Sequence, residues 1–344
     1  MELLRVRGTH TECGRQIGEK YRDIIRTAIS EIRDYPLAGH TWESMLDLAR
    51  EYWDATLEAY PVLIDEITGT ALGAGLDPLE LFTYMIEEMW VEPEISAKAC
   101  SDVVVTAPLT DGRIIVGHNN DLSPAMGGRT FPVEWNFDDG TSILTVGPLG
   151  FYVSIGINSY GVALTGNEVS PTDNKIGIPR AVISRAILTA ATIDEALKIA
   201  TDERRASSYN NVIATADRVV NMEGSARDYE LTETVDGFLC HTNHYVCERM
   251  LRVEGKYNYV SSIKRLETAT EILKGSKGRI LTAEDIMKIL ADHNNGGEAD
   301  DNSICRHGKE SETVFGIVID FGERKVFLTM GKPCQTEFAE AWNF

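Results

Sequence analysis

The feature that most constrains this chain is a change of texture near residues 95–100. Before it, apolar residues recur at helical spacing; after it, short apolar runs alternate with turn residues. From Thr11 to Arg33, Ile17, Tyr21, Ile24, Ile25, Ala28 and Ile32 fall three or four apart, which predicts one long amphipathic helix. A second helix is expected after Thr41 and a third from Pro61 into the glycine-rich "TGTALGAGL". A fourth opens on Asp77-Pro78-Leu79-Glu80, with a capping Asp, a first-turn Pro and a Glu three residues on. Beyond Cys100, "CSDVVVTA", "RIIVGH", "FPVEWNF", "SILTVG", "FYVSIGIN" and "GVALTGN" read as strands separated by "TDG", "DDG", "GPLG" and "NSYG" turns. Helices return from Pro179 to Ala191 and after Thr192, where Thr192-Ile-Asp-Glu195 reads as a capping box. Four more strands, two helices near 258–273 and 283–293, and a closing pair, "TVFGIVID" and "KVFLTMG", complete the pattern. Blocks of strands and blocks of helices point to sheets covered by helices, an α+β architecture.

Composition narrows the partners. A formal charge of −20 repels a phosphate backbone, so nucleic acid is not an expected partner. No apolar run reaches the roughly 18 residues needed to span a bilayer, so no membrane association is expected. The opening "MELLRVRGTHTECGRQ" has no secretory signal pattern, which makes the cytoplasm the expected compartment. Cys13, Cys100, Cys240, Cys247, Cys305 and Cys334 are widely spaced and read as free thiols.

Cys100 sits on the seam, after the small-residue approach Ser96-Ala97-Lys98-Ala99. One reading makes it a buried core thiol. The other makes it the first residue of a mature enzyme released by cleavage before it. A terminal α-amine has a pKa of about 7.7–8, so a cysteine at a chain start carries its own base. If the first hairpin turns near Thr110-Asp111-Gly112, the polar run Gly117-His-Asn-Asn-Asp121 lies across from Cys100. Asn and Asp there are either site residues or loop formers. An amide at Asn243, in Cys240-His-Thr-Asn-His-Tyr245, could donate to an oxyanion. Cys240, His241, His244 and Cys247 also invite a metal reading, against which stand strand alternation and the lack of a paired CxxC. Asp292-His293, Cys305-Arg306-His307 and Glu310-Ser-Glu-Thr313 form a further polar cluster, whose histidines read as core or capping groups.

Taken in order, these pieces resemble the isopenicillin N acyltransferase (acyl-coenzyme A:6-aminopenicillanate acyltransferase) family of self-cleaving N-terminal-nucleophile hydrolases. The resemblance rests on Gly8-Thr-His-Thr-Glu-Cys-Gly-Arg-Gln-Ile-Gly18, Ala99-Cys-Ser101, Gly117–Asp121, Asn158-Ser-Tyr-Gly-Val162, His241-Thr-Asn-His-Tyr245, Ser303-Ile-Cys-Arg-His307 and Gly331-Lys-Pro-Cys334. It implies an αββα four-layer sandwich with a helical N-terminal segment. It also implies cleavage between Ala99 and Cys100 into a small chain, 1–99, and a catalytic chain, 100–344, that stay associated. By position, Cys100 would be the nucleophile, Asp121 would hold its amine, and Asn243 would be the main oxyanion donor. Asn119, His118 and Arg306 would organise the site. Two departures stand out: Ala99 replaces the frequent Gly before the cysteine, and His118 stands where related bile-salt and penicillin V hydrolases carry Arg. The implied activity is amide hydrolysis or acyl transfer on a small acyl amide or thioester through an acyl-enzyme thioester, with no metal or organic cofactor. The contrasting readings are a non-catalytic binding protein on the same fold and a metal-dependent hydrolase using the Cys/His clusters. The number of copies of the cleaved pair in an assembly stays open.

Overall fold

The computed structural model describes residues 2–90, 99–153 and 155–344. Strand β1 (Leu4–Gly8) precedes helices α1 (His10–Lys20), α2 (Arg22–Asp34), α3 (Trp42–Ala59), α4 (Pro61–Ala74), α5 (Pro78–Met85) and the short α6 (Glu87–Trp90). The single helix expected from Thr11 to Arg33 is two helices. Tyr21 leaves helical geometry at φ −107°, ψ 20°, and its ring stacks on Phe131 at 4.1 Å. The apolar stripe runs on past the break, so periodicity alone does not reveal it. The cap expected at Asp77 forms, accepting from the Leu79 amide beside Pro78, and Thr9 and Glu12 make a capping box that the sequence reading did not name.

Helices α1 and α4 pack backbone to backbone through reciprocal glycines. A methyl group at Gly14 would meet the Glu66 carbonyl at 2.1 Å, and one at Gly18 the Thr70 carbonyl at 2.0 Å. Gly69 and Gly73 face Thr11 and Arg15 in the same way.

The second part holds β2 (Ala99–Val105), β3 (Ile115–Leu122), β4 (Thr130–Phe137), β5 (Ser142–Pro148), β6 (Ile155–Asn158) and β7 (Ala163–Asn167). Then come α7 (Arg180–Ile187), α8 (Ile193–Ala200), β8 (Asn210–Ala214), β9 (Val219–Gly224), β10 (Tyr229–Thr232) and β11 (Phe238–His241). Helices α9 (Val260–Gly275) and α10 (Ala283–Leu290) lead to β12 (Glu312–Asp320), β13 (Lys325–Met330) and β14 (Ala339–Asn343). The capping box expected at Thr192 is half formed. The Thr192 hydroxyl accepts from the Glu195 amide, but the Glu195 carboxylate reaches back to Ala191, one residue before the cap.

The strands form two sheets. An eight-stranded sheet runs β1-β4-β5-β6-β7-β8-β9-β10, and a six-stranded sheet runs β11-β2-β3-β12-β13-β14. Only the β1–β4 pairing is parallel among the pairs described. Three apolar layers hold four structural layers together. Val104, Val116, Leu144, Ile157 and Ile317 lie between the sheets. Val6, Ile17, Ile25, Trp135, Ile143 and Ile183 belong to the core between the N-terminal helices, α7 and the larger sheet. Val103, Ile115, Val318, Leu273 and Ile286 pack α9 and α10 on the smaller one. The architecture is the expected αββα sandwich. The N-terminal segment shares its core with the rest of the chain and adds an edge strand to the larger sheet.

Candidate functional site

The β2–β3 hairpin sets the site by register. Cys100 stands opposite Asn120, Asp102 opposite His118, and Val104 opposite Val116. Residues opposite one another share a face and alternate residues change face. Val104 and Val116 belong to the layer between the sheets, so Cys100, Asp102, His118 and Asn120 point there as well. Ser101, Asn119 and Asp121 point to the helical layer that holds Val103 and Ile115. Four polar side chains on the inner face break an otherwise apolar pattern, and each needs a partner when buried.

Cys100 is buried, and the Asn120 side-chain amide donates to its Sγ at 3.6 Å. The thiol lines a small pocket of about 50 Å³ together with Asn120, Tyr152, Glu168, Tyr209 and Glu87. Its backbone N–H donates to Asn243 Oδ1 at 2.8 Å. Asn243 follows β11, which pairs with β2 so that His241 faces Asp102. Its orientation is fixed on every side. Oδ1 also accepts from Arg265 Nη2 at 2.9 Å, Nδ2 donates to the Glu168 carbonyl at 3.0 Å, and its backbone N–H donates to Ser262 Oγ at 2.7 Å. An amide nitrogen has two hydrogens, so Nδ2 keeps one N–H beyond its bond to Glu168. Arg265, fully buried on α9, further donates to the Cys100 carbonyl and to Ser101 Oγ. Burial pulls the Arg265 pKa down, and the nearby Asp121 carboxylate opposes that.

His118 and Asp102 form a fully buried pair, Nδ1 to Oδ1 at 2.9 Å. Burial alone would pull the imidazole down. The Asp102 carboxylate, helped by the Cys100 thiol, more than offsets this and pushes its pKa up to about 10. An imidazolium at neutral pH therefore stands beside the Cys100 side chain.

Asp121 occupies the other face, opposite Ala99. Its Oδ1 accepts from Thr313 Oγ1 at 2.7 Å, while Oδ2 is buried without a hydrogen-bond partner. Burial pushes its carboxyl up; Arg265 and Arg306 hold it down. The Cys100 N–H goes to Asn243 and not to Asp121. Asn119 ties the strand to the helical layer through the carbonyls of Leu290 and Ile304, and Arg306 pairs with Asp301. The structure thus brings His118 and Asn243 next to Cys100, which itself lines the pocket, with Asp121, Asn119 and Arg306 on the helical side of the smaller sheet. Ser96, Ala97 and Lys98 lie outside the described residues; Ala99 is the first residue of β2.

A second buried network forms the pocket's far wall. Arg180 on α7 donates to Glu87 at 2.8 Å and to Glu168 at 2.9 Å, and its guanidinium lies 4.4 Å from the Tyr209 ring. Its backbone N–H donates to Glu88, whose carboxyl is pushed up to about 6, chiefly by burial. Two carboxylates, Glu87 and Glu168, converge on one guanidinium, which leaves this wall acidic.

The groups weighed for a metal at Cys240, His241, His244 and Cys247 go separate ways. His241 bonds to Asn167 and Glu223, while Cys240 packs against the apolar layer under α9 and α10. His244 bonds to Ser262, and its ring is pulled down to about 4, first by burial and then by His241. Sequence reasoning missed Asp102, Arg265, Glu168 and Arg180. Two had a signal: Asp102 is a lone acid in a valine-rich strand, and Arg265 lies on the Ser262, Ala269, Leu273 stripe that α9 buries.

A family model described as acyl-coenzyme A:6-aminopenicillanic acid acyl-transferase matches residues 109–335. The chain belongs to this acyltransferase family. The match covers β3, Asn243 and Arg306 and begins nine residues after Cys100. No curated protein matches the chain. Solved structures similar to this family member include a Caenorhabditis elegans N-acylethanolamine-hydrolyzing acid amidase ortholog, at 17% identity over 64% of this chain and 92% of that one, TM-score 0.41. A variant of the conjugated bile acid hydrolase from Clostridium perfringens matches at 12% identity over 71% and 97%, TM-score 0.45. Penicillin V acylase from Agrobacterium tumefaciens matches at 10% identity over 67% and 82%, TM-score 0.34. Family membership supports amide hydrolysis or acyl transfer as the chemistry. Among the described residues, no helix is long and apolar enough to cross a membrane.

Proposed function

We propose that this acyltransferase-family member is a cysteine N-terminal-nucleophile enzyme that matures by breaking the Ala99–Cys100 peptide. The Cys100 sulfur attacks the Ala99 carbonyl, the peptide C–N bond breaks, and the nitrogen takes a proton to become the α-amine. Water then hydrolyses the thioester and frees the sulfur. The fragments 1–99 and 100–344 stay together because they share one apolar core.

In turnover the α-amine accepts the thiol proton and the sulfur attacks a small acyl amide or acyl thioester. The His118 imidazolium, held by Asp102, stabilises the thiolate. The spare N–H of Asn243 donates to the developing oxyanion, and the leaving group departs with the proton from the α-amine. Water or an amine then attacks the acyl-enzyme thioester. Asp121, whose Oδ2 is unpartnered next to this strand, receives the new ammonium group, while Asn119 and Arg306 brace the strand from behind. The acidic wall of Glu87 and Glu168 favours neutral or cationic substrates over polyanionic ones such as coenzyme A thioesters.

One observation carries this reading: the Cys100 nitrogen and the Arg265 guanidinium converge on Asn243 Oδ1 while the Cys100 sulfur lines the pocket. Intact mass and N-terminal sequencing test it. Two fragments, the larger starting Cys100-Ser101-Asp102-Val103, are expected from the native chain and one fragment from Cys100→Ala. A single native chain whose turnover of small acyl amides and thioesters equals that of Cys100→Ala refutes it.

A further inference from the structure

A second group of reactive side chains lies outside the pocket. His293 follows α10, Cys305 and His307 precede β12, and Cys334 follows β13. One donor atom from each lies within 4.8 Å of all the others. His307 Nε2 is 3.7 Å from Cys305 Sγ and 3.3 Å from Cys334 Sγ. A tetrahedron with zinc–sulfur bonds of about 2.3 Å and zinc–nitrogen bonds of about 2.0–2.1 Å has sulfur–nitrogen edges of roughly 3.6 Å. The two observed separations bracket that edge.

The donor chemistry points the same way. Two thiols and two imidazoles form a nitrogen and sulfur set that suits zinc and disfavours magnesium or calcium. His293 Nε2 is buried and has no hydrogen-bond partner, a cost that a metal bond would remove. The His293 and His307 rings meet edge to face, with centroids 5.0 Å apart and planes at 81°. Cys305 is fully buried and Cys334 is exposed, so the cluster has an anchored side and a side open to an arriving ion.

We propose that His293, Cys305, His307 and Cys334 bind one zinc ion as a structural site. Four protein donors fill the tetrahedron and leave no position for substrate, which separates this site from a metal-dependent hydrolase. The ion ties three separate stretches of chain behind the pocket. Between two of its ligands lies Arg306, whose N–H donates to Thr313 Oγ1; that hydroxyl in turn donates to Asp121. The Ile304 carbonyl, next to Cys305, accepts from Asn119. Metal binding thus fixes the segment against which β3 is braced, and the ligands supply electrons to the ion while the two thiols release their protons to water.

The test uses the full chain purified without chelator. Elemental analysis with thiol counting is expected to give about one zinc per chain, and cobalt exchange to give the absorption of a tetrahedral, thiolate-bound ion. Cys334→Ser and His293→Ala should each lower bound zinc by roughly tenfold or more after dialysis against a weak chelator. Cys247→Ser should keep it. Cys334 is exposed, so its variant is expected to fold, and near-ultraviolet circular dichroism checks this. Should either variant fail to fold, the cobalt spectrum of the native chain decides. Native protein with neither zinc nor a tetrahedral cobalt spectrum overturns the proposal. So does a disulfide joining Cys305 to Cys334, or full zinc content in folded Cys334→Ser.

Discussion

The His118–Asp102 pair links charge to stability, and its removal should be felt throughout the molecule. His118 moves from an ordinary value of 6.5 to about 10 on folding. At about 1.4 kcal/mol per pH unit, that gap couples protonation to folding by on the order of 5 kcal/mol. The folded value is raised, so the stabilisation is fully present below about pH 6.5 and fades as the pH climbs to about 10. His118→Gln leaves a carboxylate buried without its cation, which costs roughly 3–5 kcal/mol at pH 7. The assay is urea unfolding from pH 6 to 10 in a Cys100→Ala background, which has no nucleophile at position 100 and keeps the chain in one piece. The background chain should lose several kcal/mol more over that range than the same chain with His118→Gln and Asp102→Asn together. Parallel pH profiles for the two would refute the reasoning, because the buried ion pair would then contribute nothing to the titration of the fold.

Two other outcomes follow from the same geometry. Asn243→Ala should lower the rate of acyl-enzyme formation by about 10²–10³-fold in single-turnover measurements, since one preorganised donor is lost. Gly18→Ala should lower the melting temperature, because its methyl group would sit 2.0 Å from the Thr70 carbonyl and force α1 away from α4, a strain of roughly 1–3 kcal/mol; an unchanged transition would mean the helices yield freely.

Much of the fold was legible because local chemistry agreed with the final structure. Asp77-Pro78 starts a helix where expected, and the valine-rich run after Cys100 is a strand. The break at Tyr21 was hidden because the apolar stripe runs through it unchanged, while the ring that Tyr21 stacks on belongs to a distant strand. Strand β14, Ala339–Asn343, was missed; its residues are mostly part-exposed or exposed and lack a clear apolar alternation. In the site, Cys100, His118 and Asn243 could be named from motif order, but the faces of the hairpin could not be assigned until register was known. Arg265 acts on Cys100 from 165 residues away, and no local pattern encodes such a partner. The zinc ligands were visible singly; spacing in sequence hid their convergence, since they reach one point from three separate parts of the chain.

Glu87 belongs to the segment upstream of Cys100, yet it stands in the same pocket wall as Tyr152, Glu168 and Tyr209 from downstream. If the backbone is severed between them, the cavity becomes a mould cast in two pieces, and selectivity is a property of the mated halves. Exchanging the small fragment for that of a relative would retailor what fits while leaving the sulfur untouched.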